Sequence, residues 1–228
     1  MVSDVMKFIN PFKRKASSWT DKGLTLQDLE KHEEALIAFN KALEIDPEYF
    51  SALYNKGRTL LIIDNYHDAL ECFDKVLKLD PNFVLAWVNK GVALDQLKNF
   101  EDALECFDKA LEIDSEHASA WHNKGSELIN LDRYHDALEC FDKALKLDPN
   151  FVVAWGNKGV ALDELKNFED ALKCYDKALE IDSEHFTTLY NKARLLEKLG
   201  QKTEASECYD KAFKFPELEN ILKSKKEI

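Results

Sequence analysis

The hexapeptides Ala-Trp-Val-Asn-Lys-Gly at 86–91, Ala-Trp-His-Asn-Lys-Gly at 120–125 and Ala-Trp-Gly-Asn-Lys-Gly at 154–159 recur at intervals of 34 residues. The tripeptide Asn-Lys-Gly is the same each time, whereas the residue before it changes. A fixed interval of this size marks a protein built from structural repeats. The chain therefore divides, without insertions, into six copies: 16–49, 50–83, 84–117, 118–151, 152–185 and 186–219.

Each copy contains two apolar stripes with helical spacing. In the third copy the first stripe is Trp87, Gly91 and Leu94, and the second begins with Ala103 and Phe107. Offsets of three and four residues place side chains on one face of an α-helix. Asp-Pro or Asp-Ser separates the copies, and proline keeps the residue before it out of the helical region. Each copy is therefore predicted to be helix, turn, helix and turn, with more than about 80% helix and no strand.

The order Trp-x2-Lys-Gly-x2-Leu, then Ala-x3-Phe-x2-Ala, then Pro, at this period resembles the tetratricopeptide repeat, and the resemblance covers 16–219. It implies an all-α fold: a single right-handed superhelical solenoid of helix pairs. Residues 216–228 carry apolar side chains at helical spacing and are predicted to form a C-terminal capping helix. Residues 1–15 are predicted to be a leader that is either flexible or docks on a partner or a membrane surface.

Composition narrows the classes of function. The 228 residues are 45% apolar with a formal net charge of −12, which indicates a folded protein and disfavours a nucleic-acid partner. Basic or apolar protein partners are expected instead. No apolar run approaches the about 18 residues of a membrane span, so a cytoplasmic location is expected. The five cysteines lie 34 residues apart, too far for disulfide geometry between stacked repeats, and are predicted to be reduced packing residues.

No catalytic, metal-binding or phosphate-binding motif is present, and no cofactor is expected. Since the repeats occupy nearly the whole chain after residue 15, the leading hypothesis is a non-enzymatic scaffold that binds an extended or helical segment of a partner protein. The alternative is a structural module that stacks on itself, perhaps as a weak homo-oligomer, with no ligand in its groove.

The Asn of the repeated tripeptide is the candidate binding residue, because the resemblance implies that the first helix of each copy lines a concave groove. A primary amide both donates and accepts hydrogen bonds, and amides about 10 Å apart match three residues of extended chain. The other interpretation is that each Asn contacts a neighbouring helix or water. The predicted groove residues are Asn55, Asn89, Asn123, Asn157 and Asn191, flanked by Tyr54, Arg58, Val88, Val92, His122, Val160, Tyr190 and Arg194.

The other two residues of the tripeptide receive structural interpretations. A glycine inside a helix is unfavourable unless a side chain would obstruct a neighbouring helix, so the Gly column is predicted to be a close-packing position. The methylene groups of the Lys column are predicted to cover apolar surface while the ammonium groups reach water.

Overall fold

The computed structural model describes residues 11–213, with side chains from Arg14 onward. These described residues form twelve helices and no strand, and helices account for 81% of them. The predicted all-α class and helix content are therefore confirmed over this range. The predicted capping helix at 216–228 and the first ten residues of the predicted leader lie outside the described residues. The last five residues of that leader, Pro11–Lys15, belong to the first helix.

The chain divides into two compact units, Met1–Ser115 and Glu116–Ile228. The helices of the first unit are α1 (Pro11–Asp28), α2 (His32–Ile45), α3 (Phe50–Ile62), α4 (Tyr66–Leu79), α5 (Val84–Gln96) and α6 (Phe100–Ile113). Those of the second unit are α7 (Ala118–Asn130), α8 (Tyr134–Leu147), α9 (Val152–Glu164), α10 (Phe168–Ile181), α11 (Phe186–Lys198) and α12 (Lys202–Phe213). Each unit therefore holds three of the six predicted copies.

Within each unit the helices pack in chain order. The first helix of a copy, here called the A helix, packs on the second helix of the same copy, the B helix. That B helix also packs on the A helix of the next copy, so the copies stack through a continuous core. Its centre is a column of aromatic side chains on the B helices, at most 1% exposed: Phe39, Phe73 and Phe107 in the first unit, Phe141 and Tyr175 in the second.

The glycine column faces this aromatic column. A Cβ atom built on Gly91 would lie 2.6 Å from Cε1 of Phe107, and one on Gly159 would lie 2.5 Å from Cε1 of Tyr175. Carbon atoms do not approach that closely, so an alanine at either position requires the ring to move. The predicted close-packing role of the glycines is confirmed, with the aromatic ring of the same copy as the neighbour.

Each A helix ends in the same turn. The residue after it has a positive φ, as at Asp64 (60°) and Lys98 (62°). The next backbone N–H then returns to the helix: Asn65 donates to the Leu60 carbonyl at 2.8 Å, the pattern of a Schellman motif. Glycine occupies this position only at Gly200 among the described turns, so the other copies hold a non-glycine residue in a left-handed conformation.

The five thiols are free, and four of them, Cys72, Cys106, Cys140 and Cys174, are buried. Burial raises the pKa of Cys106 and Cys174 to about 11. A thiol with so high a pKa is almost wholly protonated near neutral pH and is a poor nucleophile. The predicted packing role is confirmed for these four, whereas Cys208 is only partly buried.

Candidate functional site

The A-helix face of a unit is the surface formed by A-helix side chains opposite the Trp and Gly stripe. In the first unit it carries six of the predicted groove residues: Tyr54, Asn55 and Arg58 from α3, and Val88, Asn89 and Val92 from α5. The two helices are joined here by a hydrogen bond, because the Asn89 amide nitrogen donates to the Tyr54 hydroxyl at 3.1 Å. The Tyr54 ring also packs edge-on against Phe83, with centroids 5.0 Å apart, and its burial raises its pKa.

The second unit repeats this contact with different chemistry. The Asn157 amide nitrogen lies 3.1 Å from both Nε2 of His122 and the Ser126 hydroxyl oxygen. An amide nitrogen only donates, so Nε2 accepts and the proton of the neutral ring is on Nδ1, which faces the Asn123 side-chain oxygen at 3.1 Å. Burial lowers the pKa of His122, which favours this neutral form.

The Asn column therefore does not behave as a uniform ladder. Asn89 and Asn157 contact the preceding A helix, as the second interpretation of the column proposed. Asn55 donates to the Ser51 carbonyl of its own helix at 2.8 Å, and Asn191 is half-buried on α11. A peptide-binding role of these amides stays a prediction, and the two interhelical amides offer a partner mainly their carbonyl oxygens.

The apolar positions of the predicted groove differ in accessibility. Val88 is only 8% exposed and belongs to the core, so it offers a partner almost no surface. Its counterpart in the fifth copy, Gly156, is also buried, and a Cβ there would lie 2.9 Å from the Thr188 hydroxyl. Val92 and Val160 are half-buried and remain the accessible apolar side chains of the A-helix faces.

Two arginines form aromatic and cationic stations on the A-helix faces. The Arg58 guanidinium lies 5.9 Å from the Tyr54 ring centroid, and the Arg194 guanidinium lies 6.0 Å from that of Tyr190. Both arginines are exposed. Over residues 14–213 neither guanidinium has a carboxylate within ion-pair distance, so each can accept a carboxylate from another molecule.

The Lys column makes contacts that sequence reasoning missed. Lys90 pairs with Asp74 at 2.7 Å, Lys158 with Asp142 at 2.6 Å and Lys192 with Asp176 at 2.5 Å. Each ion pair joins an A helix to the B helix of the preceding copy. The methylene packing was predicted, but the ammonium groups contact carboxylates as well as water. The signal was present in the sequence as an Asp 16 residues before each of these lysines.

Sequence comparison agrees with this architecture. The profile of the tetratricopeptide repeat matches 16–49, 50–83, 84–117, 118–151 and 152–185, and a second profile of the same description matches 174–205. The chain belongs to the tetratricopeptide repeat family. The five repeat boundaries found by the first profile are those read from the 34-residue period, and α11 and α12 supply the sixth repeat. No curated protein sequence matches the chain.

Solved structures of tetratricopeptide repeat proteins share the fold. MamA from Desulfovibrio magneticus RS-1 is 24% identical over 75% of this chain and 97% of its own, with a TM-score of 0.69. Pseudomonas aeruginosa PilF is 21% identical over 87% of this chain and 90% of its own, with a TM-score of 0.75. YrrB, described as having an unusual peptide-binding site, is 26% identical over 80% and 98%, with a TM-score of 0.64.

A tetratricopeptide repeat fold supports a protein–protein interaction scaffold. Among the residues that the structure describes, no helix is both long and apolar enough to cross a membrane.

Proposed function

We propose that this tetratricopeptide repeat chain is a non-enzymatic scaffold that binds an extended or helical segment of a partner protein on the A-helix faces of its units. The observation that carries the proposal is the pair of arginine stations. Arg58 over Tyr54 and Arg194 over Tyr190 are exposed cations held by aromatic rings, without a carboxylate partner in the described part of the chain. An arginine placed in this way presents an ordered guanidinium fork to a ligand.

The chemistry of the stations indicates how a segment is held. A carboxylate of the partner accepts hydrogen bonds from the guanidinium, and the adjacent Asn55 or Asn191 contacts the backbone beside it. Val92 and Val160 provide apolar contact next to these positions. Because the chain carries a formal charge of −12, the rest of the segment is expected to be apolar or basic, with acidic side chains only at the stations.

The partner is sought by site-specific photocrosslinking in the source organism. A photoreactive phenylalanine analogue replaces Tyr190 on the A-helix face or, as the control, Ile181 on α10, which is similarly exposed (37% and 39%). The proposal expects a protein crosslinked from position 190 and not from 181. Arg194→Glu should abolish that product, whereas Arg133→Glu should not, because Arg133 is engaged by Asp136 at 2.6 Å on its own helix.

Two outcomes contradict the proposal. Equal crosslinking from both positions would show that the A-helix face is not selective. Crosslinks at position 190 only between copies of this chain would instead support a self-associating structural module.

A further inference from the structure

The first unit contains a cleft of about 650 Å³ on the far side of α5 from Asn89. It is called the Trp87 cleft here. Trp87, Lys90 and Leu94 of α5 form its floor, and α4 and α6 form its walls. Because each residue turns an α-helix by about 100°, Asn89 lies about 200° around α5 from Trp87. The Trp87 cleft is therefore separate from the A-helix face.

The chain itself shows what packs on this type of tryptophan. In the first repeat Lys41 of the B helix lies 4.5 Å from the Trp19 ring centroid, and in the fourth repeat Lys143 lies 4.0 Å from that of Trp121. Both distances are within the range of cation–π attraction. A B-helix ammonium group is thus the ligand of the tryptophan ring in two of the repeats.

The third repeat lacks this ligand. Its equivalent lysine, Lys109, instead pairs with Glu112 on its own helix at 2.7 Å. Trp87 keeps only Lys90, whose ammonium lies 5.5 Å from the ring centroid and is paired with Asp74. The indole N–H of Trp87 donates to the Pro81 carbonyl at 2.9 Å, which holds the ring in place. A fixed aromatic surface is therefore left in the cleft without its B-helix cation.

The walls of the cleft are acidic. Five carboxylates line it, against the two ammonium groups of Lys90 and Lys109: Asp74, Asp102, Glu105, Asp108 and Glu112. Asp102 and Glu105 make no ion pair within the described part of the chain. The fifth repeat differs at one of these positions, since Lys173 replaces Glu105 and pairs with Glu169 at 2.8 Å and Asp170 at 2.9 Å.

We propose that the Trp87 cleft binds a basic segment of a partner protein, with a lysine or arginine side chain on the Trp87 ring and its charge beside Asp102 and Glu105. The guest side chain occupies the place that Lys143 takes over Trp121 in the fourth repeat. Aromatic contact with a cation and a carboxylate wall act together, since the first holds the side chain and the second neutralises its charge. The volume of the cleft is in the range of ligand-binding pockets.

The test uses the full chain labelled with ¹⁵N, in which the four tryptophans give four indole N–H signals, assigned with single Trp→Phe variants. The probe is the peptide acetyl-Gly-Arg-Ala-Arg-Gly-amide, and acetyl-Gly-Glu-Ala-Glu-Gly-amide is the control. We expect the Arg peptide to shift the Trp87 signal in a saturable way. The Trp121 signal should move little, because Lys143 already covers that ring.

A charge-neutral exchange provides the matched control. Glu105→Lys combined with Lys173→Glu leaves the net charge of the chain unchanged and alters only exposed positions. The proposal expects the affinity at Trp87 to fall about tenfold, because a carboxylate contact becomes a repulsion. Unchanged affinity in the exchanged variant, or equal shifts of all four indole signals in the parent, would show general attraction to an acidic protein and overturn the proposal.

Discussion

The amide nitrogen of Asn89 lies 3.1 Å from the hydroxyl of Tyr54, which joins the A helices of the third and second repeats. Asn157 makes the equivalent contact to His122 in the second unit. The repeated Asn thus stabilises the stack at these two positions, in addition to any contact that it makes with a ligand. The 68-residue period of the sequence places the same contact once in each unit.

Asn89→Ala should lower the free energy of unfolding by about 0.5–1.5 kcal/mol, because it removes an interhelical hydrogen bond. Urea denaturation followed by circular dichroism measures the change. Asn55→Ala is the control and should have a smaller effect, since its amide bonds only to its own helix. A double-mutant cycle with Tyr54→Phe that gives no coupling energy would contradict the contact.

Lys90→Met should lower the unfolding free energy by about 0.5–1 kcal/mol, mainly through loss of the Asp74 ion pair. The methylene packing against Trp87 is retained in this variant. The Lys90 side chain is only 24% exposed, so added salt should reduce the difference between parent and variant only partly. Lys109→Met, which removes an exposed pair within one helix, is the control and should change stability less. Equal effects of the two variants would show that the pair between repeats adds nothing.

The contact between Asn157 and His122 should make stability depend on pH. The pKa of His122 is lower in the folded chain than its ordinary value of 6.5, mainly because the ring is buried. The unfolded state therefore takes up the proton first as the pH falls. The stability from the neutral ring is complete above pH 6.5 and is lost as the pH falls through the lower pKa of the folded state.

His122→Tyr tests this pH dependence, because it installs the residue that Asn89 already contacts in the second repeat. Thermal unfolding at pH 5 and pH 7.5 should show a smaller difference for this variant than for the parent. His135→Tyr alters an exposed histidine and should leave the parent's pH dependence in place. The idea fails if both variants keep the same dependence.

Gly91→Ala should destabilise the chain by about 1–3 kcal/mol, because the new Cβ would lie 2.6 Å from the Phe107 ring. The sixth repeat offers the comparison, since Ala193 occupies this position opposite Tyr209, which is only partly buried. The reverse change, Ala193→Gly, should therefore not stabilise the chain. Thermal and urea denaturation both measure the difference, and a neutral Gly91→Ala would refute close packing at the column.

Lys98→Gly should raise the unfolding free energy by about 0.5–1 kcal/mol, because it relieves a left-handed conformation at a non-glycine residue. Gly200→Ala is the reciprocal test. Its Cβ would meet no atom within 4 Å, so any loss of stability would come from its φ of 82° alone. Opposite signs for the two variants are expected, and the same sign would contradict the backbone argument.

Much of the fold was predictable because its signals repeat. Trp87, Gly91 and Phe107 recur in equivalent positions along the chain, and helical spacing places Trp87 and Gly91 on the same helix face. The site was less predictable. Val88 was expected to line the groove, but its position on α5 makes it part of the core. A pattern of residue types does not report how deeply a side chain lies between neighbouring helices.

The sequence by itself determined the repeat length, the helix pairs, the glycine column and the absence of a recognisable catalytic motif. These features depend on spacing along one helix or on identical steps between repeats. Only the tertiary structure decided which partner each polar side chain takes. Asn89 selects Tyr54, and Lys109 selects Glu112 while the equivalent Lys143 covers a tryptophan ring. Such choices depend on distances of a few ångströms between competing groups, which side-chain packing sets and residue spacing does not contain.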